Sequence, residues 1–430
     1  MSGAGFDGRY DDEAGLKVAL NRLSTSPPLV TSWEIERLRG DLADAAAGRR
    51  LVLVAGDCAE TFDDCRSASI SARLKVLLRM SLVLVATTQR PVVRIGRLAG
   101  QYAKPRSEPT ETRQGADGSA VTLPSYFGDL VNGAAFDADI RRPDPRRLVD
   151  GYHNAALTLN FVRSLLAGGF ADLHAASAWD AKDLLGAVRV RYEGHQETVR
   201  RALAVGDALD GARRPDAALY TSHEGLHLGY EGALTREVPR RAGHWCLSTH
   251  FPWIGDRTRQ LDGKHVAFFA ACENPVAVKL GPKATGADVC ALAARLDPSG
   301  SPGRLTFVTR LGSAAPGRLP ELLDAGAGLA AGWLVDPMHG NTRAMPDGRK
   351  VRFVDDVVEE IAVTARAHRA AGTRLSGLHL EVAGEDVTEC VGCGVVEADL
   401  RRAYGSACDP RLNPSQAVFV AEAFATAAQV

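Results

Sequence analysis

Eight short runs rich in Val, Leu and Ile, each closed by Gly, Pro or a polar residue, alternate along this chain with longer segments of helical periodicity. The runs are LVLVAGDCA (51–59), PVVRIGR (91–97), ALYTSHEG (218–225), HWCLSTHF (244–251), PVAVKLG (275–281), LTFVTRLG (305–312), LAAGWLVDPM (329–338) and LSGLHLEVAG (375–384). Strands that are apolar almost throughout are buried on both faces, as in a parallel sheet covered by helices. SARLKVLLRMSLVLVATT, GADVCALAARL and DDVVEEIAVTARAHRAAG supply such helices between them. Eight strands in βα alternation predict an α/β chain whose fold is a (β/α)₈ TIM barrel, with catalytic groups at the C-terminal ends of the strands. The barrel domain spans 51–430, with a long insertion after the second strand at about 98–217. Residues 1–50 form an N-terminal extension whose helical segment SWEIERLRGDLADAAAG is placed to close the barrel floor or to join an interface.

With 51 Lys and Arg against 52 Asp and Glu, the chain has no global electrostatic reason to bind nucleic acid or an anionic membrane. No stretch reaches the roughly 18 apolar residues of a membrane span, and MSGAGFDGRYDDEAG lacks a basic segment followed by an apolar one, so the expected location is the cytoplasm. Eight cysteines in 430 residues are too dilute for a disulfide framework; in a reducing compartment they are thiols, ligands or redox switches.

The strand ends carry the chemistry. They present Asp57 and Cys58, Arg97 with Lys104 beyond it, His223 and Glu224, Asp256 and Arg257, Lys279, Arg310, Asp336 and His339, and Glu381. Five basic side chains (Arg97, Lys104, Arg257, Lys279, Arg310) on one face of a nearly neutral protein point to anionic, phosphorylated substrates, because Arg forks match phosphate and carboxylate oxygens. A single basic residue at a strand end is ordinarily a solvated surface group. Lys279 and Arg310, however, interrupt apolar strands where an unpaired buried charge is unfavourable by several kcal/mol. Cys58, His339, Glu381 and, downstream, Asp409 offer thiolate, imidazole and two carboxylates, a donor set for Mn, Co, Fe or Zn. Spacing alone leaves the alternative open that His339 is a loop residue and Cys58 a small buried one. CVGC (390–393) has no second CxxC to complete a zinc site and is read as structural. No P-loop and no strand-linked GxGxxG is present.

Ten motifs, in order, resemble one family: GDCAETF (56–62), RIGRLAGQYAKPRS (94–107), LPSYFGDLVNG (123–133), YTSHEGLHLGYE (220–231), WIGDRTRQLDGKHV (253–266), NPVAVKLGP (274–282), RLTFVTRLG (304–312), DPMHGNT (336–342), GLHLEVAGEDVTEC (377–390) and ACDPRLN (407–413). The chain is similar to the type II, plant-like 3-deoxy-D-arabino-heptulosonate 7-phosphate (DAHP) synthases. The resemblance implies condensation of phosphoenolpyruvate with D-erythrose 4-phosphate, giving DAHP and phosphate at the first step of the shikimate pathway. It implies a divalent metal, Mn²⁺ or Co²⁺ foremost with Fe²⁺ and Zn²⁺ as alternatives, on Cys58, His339, Glu381 and Asp409. It implies phosphoenolpyruvate contacts from Arg97, Asp256, Arg257, Lys279 and Arg310, and erythrose 4-phosphate contacts from Lys104, Arg106 and Ser107. Lys279, Arg310 and His339 are the expected catalytic groups, with Lys279 and His339 the candidates for proton transfer. A homodimer or homotetramer is expected, with a chorismate mutase as a potential partner. Phe127 where many members have Arg, together with a short N-terminus, resembles the compact forms that serve secondary-metabolite clusters. Two rivals share these motifs: an amino-DAHP synthase acting on an imino-tetrose phosphate, and a catalytically silent regulatory paralogue.

Overall fold

The computed structural model describes residues 9–106, 108–114, 118–210, 218–406 and 408–429. Its central sheet has eight parallel strands: β1 (Leu51–Gly56), β2 (Val92–Arg97), β3 (Tyr220–Thr221), β4 (Trp253–Ile254), β5 (Val276–Leu280), β6 (Leu305–Thr309), β7 (Gly332–Val335) and β8 (Gly377–Glu381). Neighbours run in the order β3, β2, β1, β8, β7, β6, β5, β4. The two ends meet: Glu224 and Trp253 form a parallel bridge, Phe251 N–H donates to Thr221 O at 3.1 Å, and Trp253 N–H donates to His223 O at 3.1 Å. The sheet is therefore curled into the (β/α)₈ barrel expected from the alternation.

The fourth strand lies elsewhere than in 244–251. Trp245–Cys246 pairs antiparallel with Thr235–Arg236, outside the barrel sheet, and the Asn274 side chain satisfies both Cys246 N–H and C=O. The barrel strand is Trp253–Ile254, just past Pro252, a residue whose missing N–H argues against a central strand. Pro252 is tolerated because its carbonyl alone is used, accepting from Ala277 N–H.

Side chains alternate across each strand. Val52, Val54, Val93, Ile95, Ala277, Val308 and Leu334 share one interior cluster with Tyr220, Phe251 and Trp253. Leu38, Leu42 and Ala45 of the helix Ser32–Ala46 join that cluster, so this helix plugs the barrel floor. A capping box, Thr31 with Glu34, fixes its start. The opposite strand faces pack on helices: Leu51, Leu53, Leu378 and Leu380 cluster with residues of Ser67–Thr88 and Pro414–Gln429.

Between β2 and β3 lie a hairpin (Thr110–Gln114 with Ala120–Pro124) and the helices Arg146–Ala167 and Gly186–Asp210. Val188, Tyr192 and Val199 of the latter pack into the cluster around Val76, Met80 and Phe424. Among the described residues no helix is long and apolar enough to cross a membrane.

Candidate active site

The two-residue period carries the inward rows past the apolar interior to charged ends: Val93, Ile95, Arg97; Ala277, Lys279; Val308, Arg310; Leu334, Asp336; His379, Glu381. Of these charged ends Arg97, Lys279 and Arg310 line a cavity of about 540 Å³, with Lys104, Arg106, Asp256, Arg257, His339 and Asp409; Asp336, His379 and Glu381 lie buried behind its wall. Ser107 lies outside the described residues.

Donor atoms of Cys58, Glu381 and Asp409 fall within 4.8 Å of one another. The fourth expected ligand, His339, brings Nε2 to 3.1 Å from Glu381 Oε1. Its Nδ1 is 2.7 Å from Asp336 Oδ2, the carboxylate–imidazole pairing that orients metal-binding histidines. A thiol, an imidazole and two carboxylates, Glu381 buried and Asp409 half-buried, face one another and match a borderline divalent cation by donor chemistry. Against the upward push of burial, His339, Arg352 and Arg97 hold Glu381 well below the usual carboxylate range. Lys104 and Arg352 do the same for Asp409. Burial pushes the Cys58 thiol well up, Glu381 adds to that, and Lys104 opposes it.

Lys104 Nζ sits 2.8 Å from Cys58 Sγ, so this residue of the AKPRS loop belongs with the sulfur as much as with any tetrose phosphate. Its loop is held from two sides. Lys104 N–H donates to Phe127 O, and Glu60 of GDCAE accepts the N–H groups of Ala99, Gly100 and Gln101. Arg106 Nη1 lies 3.7 Å from Cys408 Sγ. Arg97 is turned into the barrel: Nη2 donates to Glu381 Oε1 at 2.9 Å, and Nη1 is 2.9 Å from His379 Nε2. The Arg97 guanidinium and the Lys279 ammonium both lie over the Trp253 ring, at 5.1 and 5.6 Å from its centroid.

On the other wall, Lys279 Nζ pairs closely with Asp336 Oδ2. Burial pushes Lys279 down to about 8, with Asp336 opposing the shift. Arg310 Nη1 lies 3.3 Å from Asp256 Oδ2, and Asp256 Oδ1 accepts Gly281 N–H at 2.9 Å. Arg310 Nη2 also donates to His339 O at 3.3 Å, which links the loops after β6 and β7. Those loops touch through backbone. Gly312 has φ +56°, and a Cβ there would stand 2.4 Å from Gly340 O. Buried Glu360 braces the same junction, accepting from Leu311 and Gly312 N–H and from Asn341 Nδ2.

Three groups stand at this centre that the strand-end reading does not name, His379, Lys350 and Arg352, and a fourth, Asp336, is named there without a role. Asp336 and His379 were open to detection as polar residues on inward rows; Lys350 and Arg352 come from a two-turn detour after β7 that carries no barrel periodicity. Cys390 Sγ lies 3.3 Å from Arg411 O, consistent with a structural role for CVGC.

The sequence profile of the class-II DAHP synthetase family matches residues 4–425. A phospho-2-dehydro-3-deoxyheptonate aldolase of Streptomyces coelicolor is 43% identical over 420 residues, covering 96% of this chain and 92% of its own. Proteins of the same name from Neurospora crassa and Mycolicibacterium smegmatis are 40% and 41% identical, each over 96% of this chain, covering 89% and 90% of theirs.

Proposed function

The chain belongs to the class-II DAHP synthetase family, so its reaction is the joining of phosphoenolpyruvate to erythrose 4-phosphate, and we propose how its own residues carry that reaction. The observation that supports the reading is a thiol–imidazole–carboxylate donor set, clustered behind and at the wall of one cavity, beside the cations that line it.

Cys58, His339, Glu381 and Asp409 would hold a divalent cation, Mn²⁺ or Co²⁺ foremost. Bound there, it would supply Lewis acidity to the aldehyde oxygen of the tetrose phosphate. Arg257, Lys279 and Arg310 bind the phosphate and carboxylate of phosphoenolpyruvate; Lys104 and Arg106 reach the tetrose phosphate from the facing loop. Held in register, C3 of phosphoenolpyruvate forms a bond to the aldehyde carbon as its enol π pair moves. The aldehyde oxygen takes a proton, water adds at C2, and the resulting phosphohemiketal releases inorganic phosphate as its C2–O bond breaks. Lys279, paired with Asp336 and with a pKa near 8, is suited to pass a proton at this step. Asp336 fixes the His339 tautomer, leaving Nε2 toward the donor cluster.

Purified protein supplied with phosphoenolpyruvate, erythrose 4-phosphate and Mn²⁺ should release one phosphate per phosphoenolpyruvate consumed. Turnover confined to an imino-tetrose phosphate would identify an amino-DAHP synthase instead. No turnover with either would identify a silent paralogue.

A further inference from the structure

The strand Lys350–Phe353 leaves the barrel after β7 and pairs with Cys390–Val391 and with Arg343–Ala344. Residues 350 and 352 share one face of it by the two-residue period. From that face Lys350 Nζ donates to Asp409 Oδ1 at 2.6 Å, and Arg352 Nη1 donates to Glu381 Oε2 at 2.7 Å. Each carboxylate then turns its other oxygen inward: Asp409 Oδ2 lies 3.7 Å from Cys58 Sγ, and Glu381 Oε1, which also accepts from Arg97 Nη2 at 2.9 Å, lies 3.1 Å from His339 Nε2.

Arg352 does more than neutralise one acid. Its side chain is fully buried; Nη1 also donates to Pro410 O, next to Asp409, and Nε donates to Thr342 Oγ1 at 2.8 Å, three residues beyond His339. One guanidinium thus ties the segments bearing Glu381, Asp409 and His339. The planar fork reaches these partners from two nitrogens held at a fixed separation, a span that a single ammonium nitrogen does not cover.

We infer that Lys350 and Arg352 are positioning residues that clamp the two carboxylates so that each offers a single oxygen to a shared cation. This rests on the reading of Cys58, His339, Glu381 and Asp409 as metal ligands. Freed of Lys350, Asp409 can rotate and bind through both oxygens, and Glu381, left with Arg97 alone, can turn Oε2 to the cation as well, raising the coordination number and lowering the ligand field's asymmetry.

The test uses chelator-stripped full-length protein titrated with Co²⁺ and followed by visible absorption, with circular dichroism to verify folding. Wild type should bind one Co²⁺ and show thiolate-to-cobalt and d–d bands. Lys350→Met and Arg352→Met should both weaken the d–d bands, since higher-coordinate Co²⁺ absorbs less. Arg352→Met should also lower affinity about 10- to 100-fold, with Arg352→Lys restoring only part. Wild type that binds no Co²⁺ would remove the metal reading and this inference with it. Wild-type binding, with affinity and spectrum unchanged in both Met variants, would overturn the clamp alone. If Arg352→Met does not fold, Lys350→Met decides, because that side chain is 48% exposed and its loss leaves the interior intact; an unchanged spectrum there overturns the inference.

Discussion

Replacing Lys279 by Met keeps the length and volume of the side chain and removes its charge. In the structure that residue is 4% exposed, and its ammonium is held by Asp336 and lies over Trp253, so water is a poor substitute for it. Two anions depend on it: Asp336 and, in the proposed complex, phosphoenolpyruvate. A unit pair about 4 Å apart at an effective dielectric near 20 is worth roughly 4 kcal/mol. Truncation of one partner of a buried charged pair is measured at about 2–5 kcal/mol. At about 1.4 kcal/mol per tenfold, the expected loss is roughly 30- to 4000-fold in kcat/KM for phosphoenolpyruvate. The KM for erythrose 4-phosphate should move far less. Steady-state kinetics with each substrate varied in turn, on protein checked by circular dichroism, provide the assay. Near wild-type kcat/KM for phosphoenolpyruvate in a folded variant would refute the assignment of Lys279 to the anion site and leave it a structural partner of Asp336.

Three further outcomes are expected. Lys279 is depressed from its ordinary 10.5 to about 8, so its cation is present below that pH and lost above it; kcat/KM for phosphoenolpyruvate should fall toward tenfold per unit above pH 8. This Lys279 contribution makes stability rise between about 8 and 10.5, where the unfolded chain holds the extra proton, so an alkaline activity loss that tracks unfolding would contradict this cause. Chelator treatment should abolish activity, Mn²⁺ or Co²⁺ should restore it, and Cys58→Ser should weaken metal binding; full activity in rigorously metal-free protein would contradict the site. Gly312→Ala, placing a Cβ 2.4 Å from Gly340 O at a positive φ, should lower urea-unfolding stability by about 1–3 kcal/mol, and an unperturbed variant would show the two loops to be independent.

Much of this site was legible because a parallel barrel makes inward polar residues conspicuous. VAVKLG and FVTRLG read as buried strands, so Lys279 and Arg310 had to face a compensating anion. Glu381 and Cys58 followed from the same rows, and the barrel itself from the alternation. What escaped has identifiable causes. The fourth strand is two residues long and abuts Pro252, whose missing N–H masks it. The contact of the Lys104 ammonium with Cys58 Sγ joins loops 46 residues apart, which no periodicity encodes. Burial and Glu381 outweigh Lys104 and push the Cys58 thiol up, a balance set by contacts distant in the chain. Arg352 lies in the short strand Lys350–Phe353, where a run of KVR reads as an ordinary solvated segment until its partners at 381 and 410 are known.

The central claim is that one divalent cation sits among Cys58, His339, Glu381 and Asp409, beside an anion site built from Arg257, Lys279 and Arg310. A crystal of the protein grown with Mn²⁺ and phosphoenolpyruvate, measured for anomalous scattering, addresses it directly. The account predicts one strong anomalous peak bonded to Cys58 Sγ, His339 Nε2 and an oxygen from each carboxylate, with the phosphate of phosphoenolpyruvate against Arg257 and Arg310 and Lys279 beside its carboxylate. A peak elsewhere, or phosphoenolpyruvate bound away from Lys279 and Arg310, would contradict it.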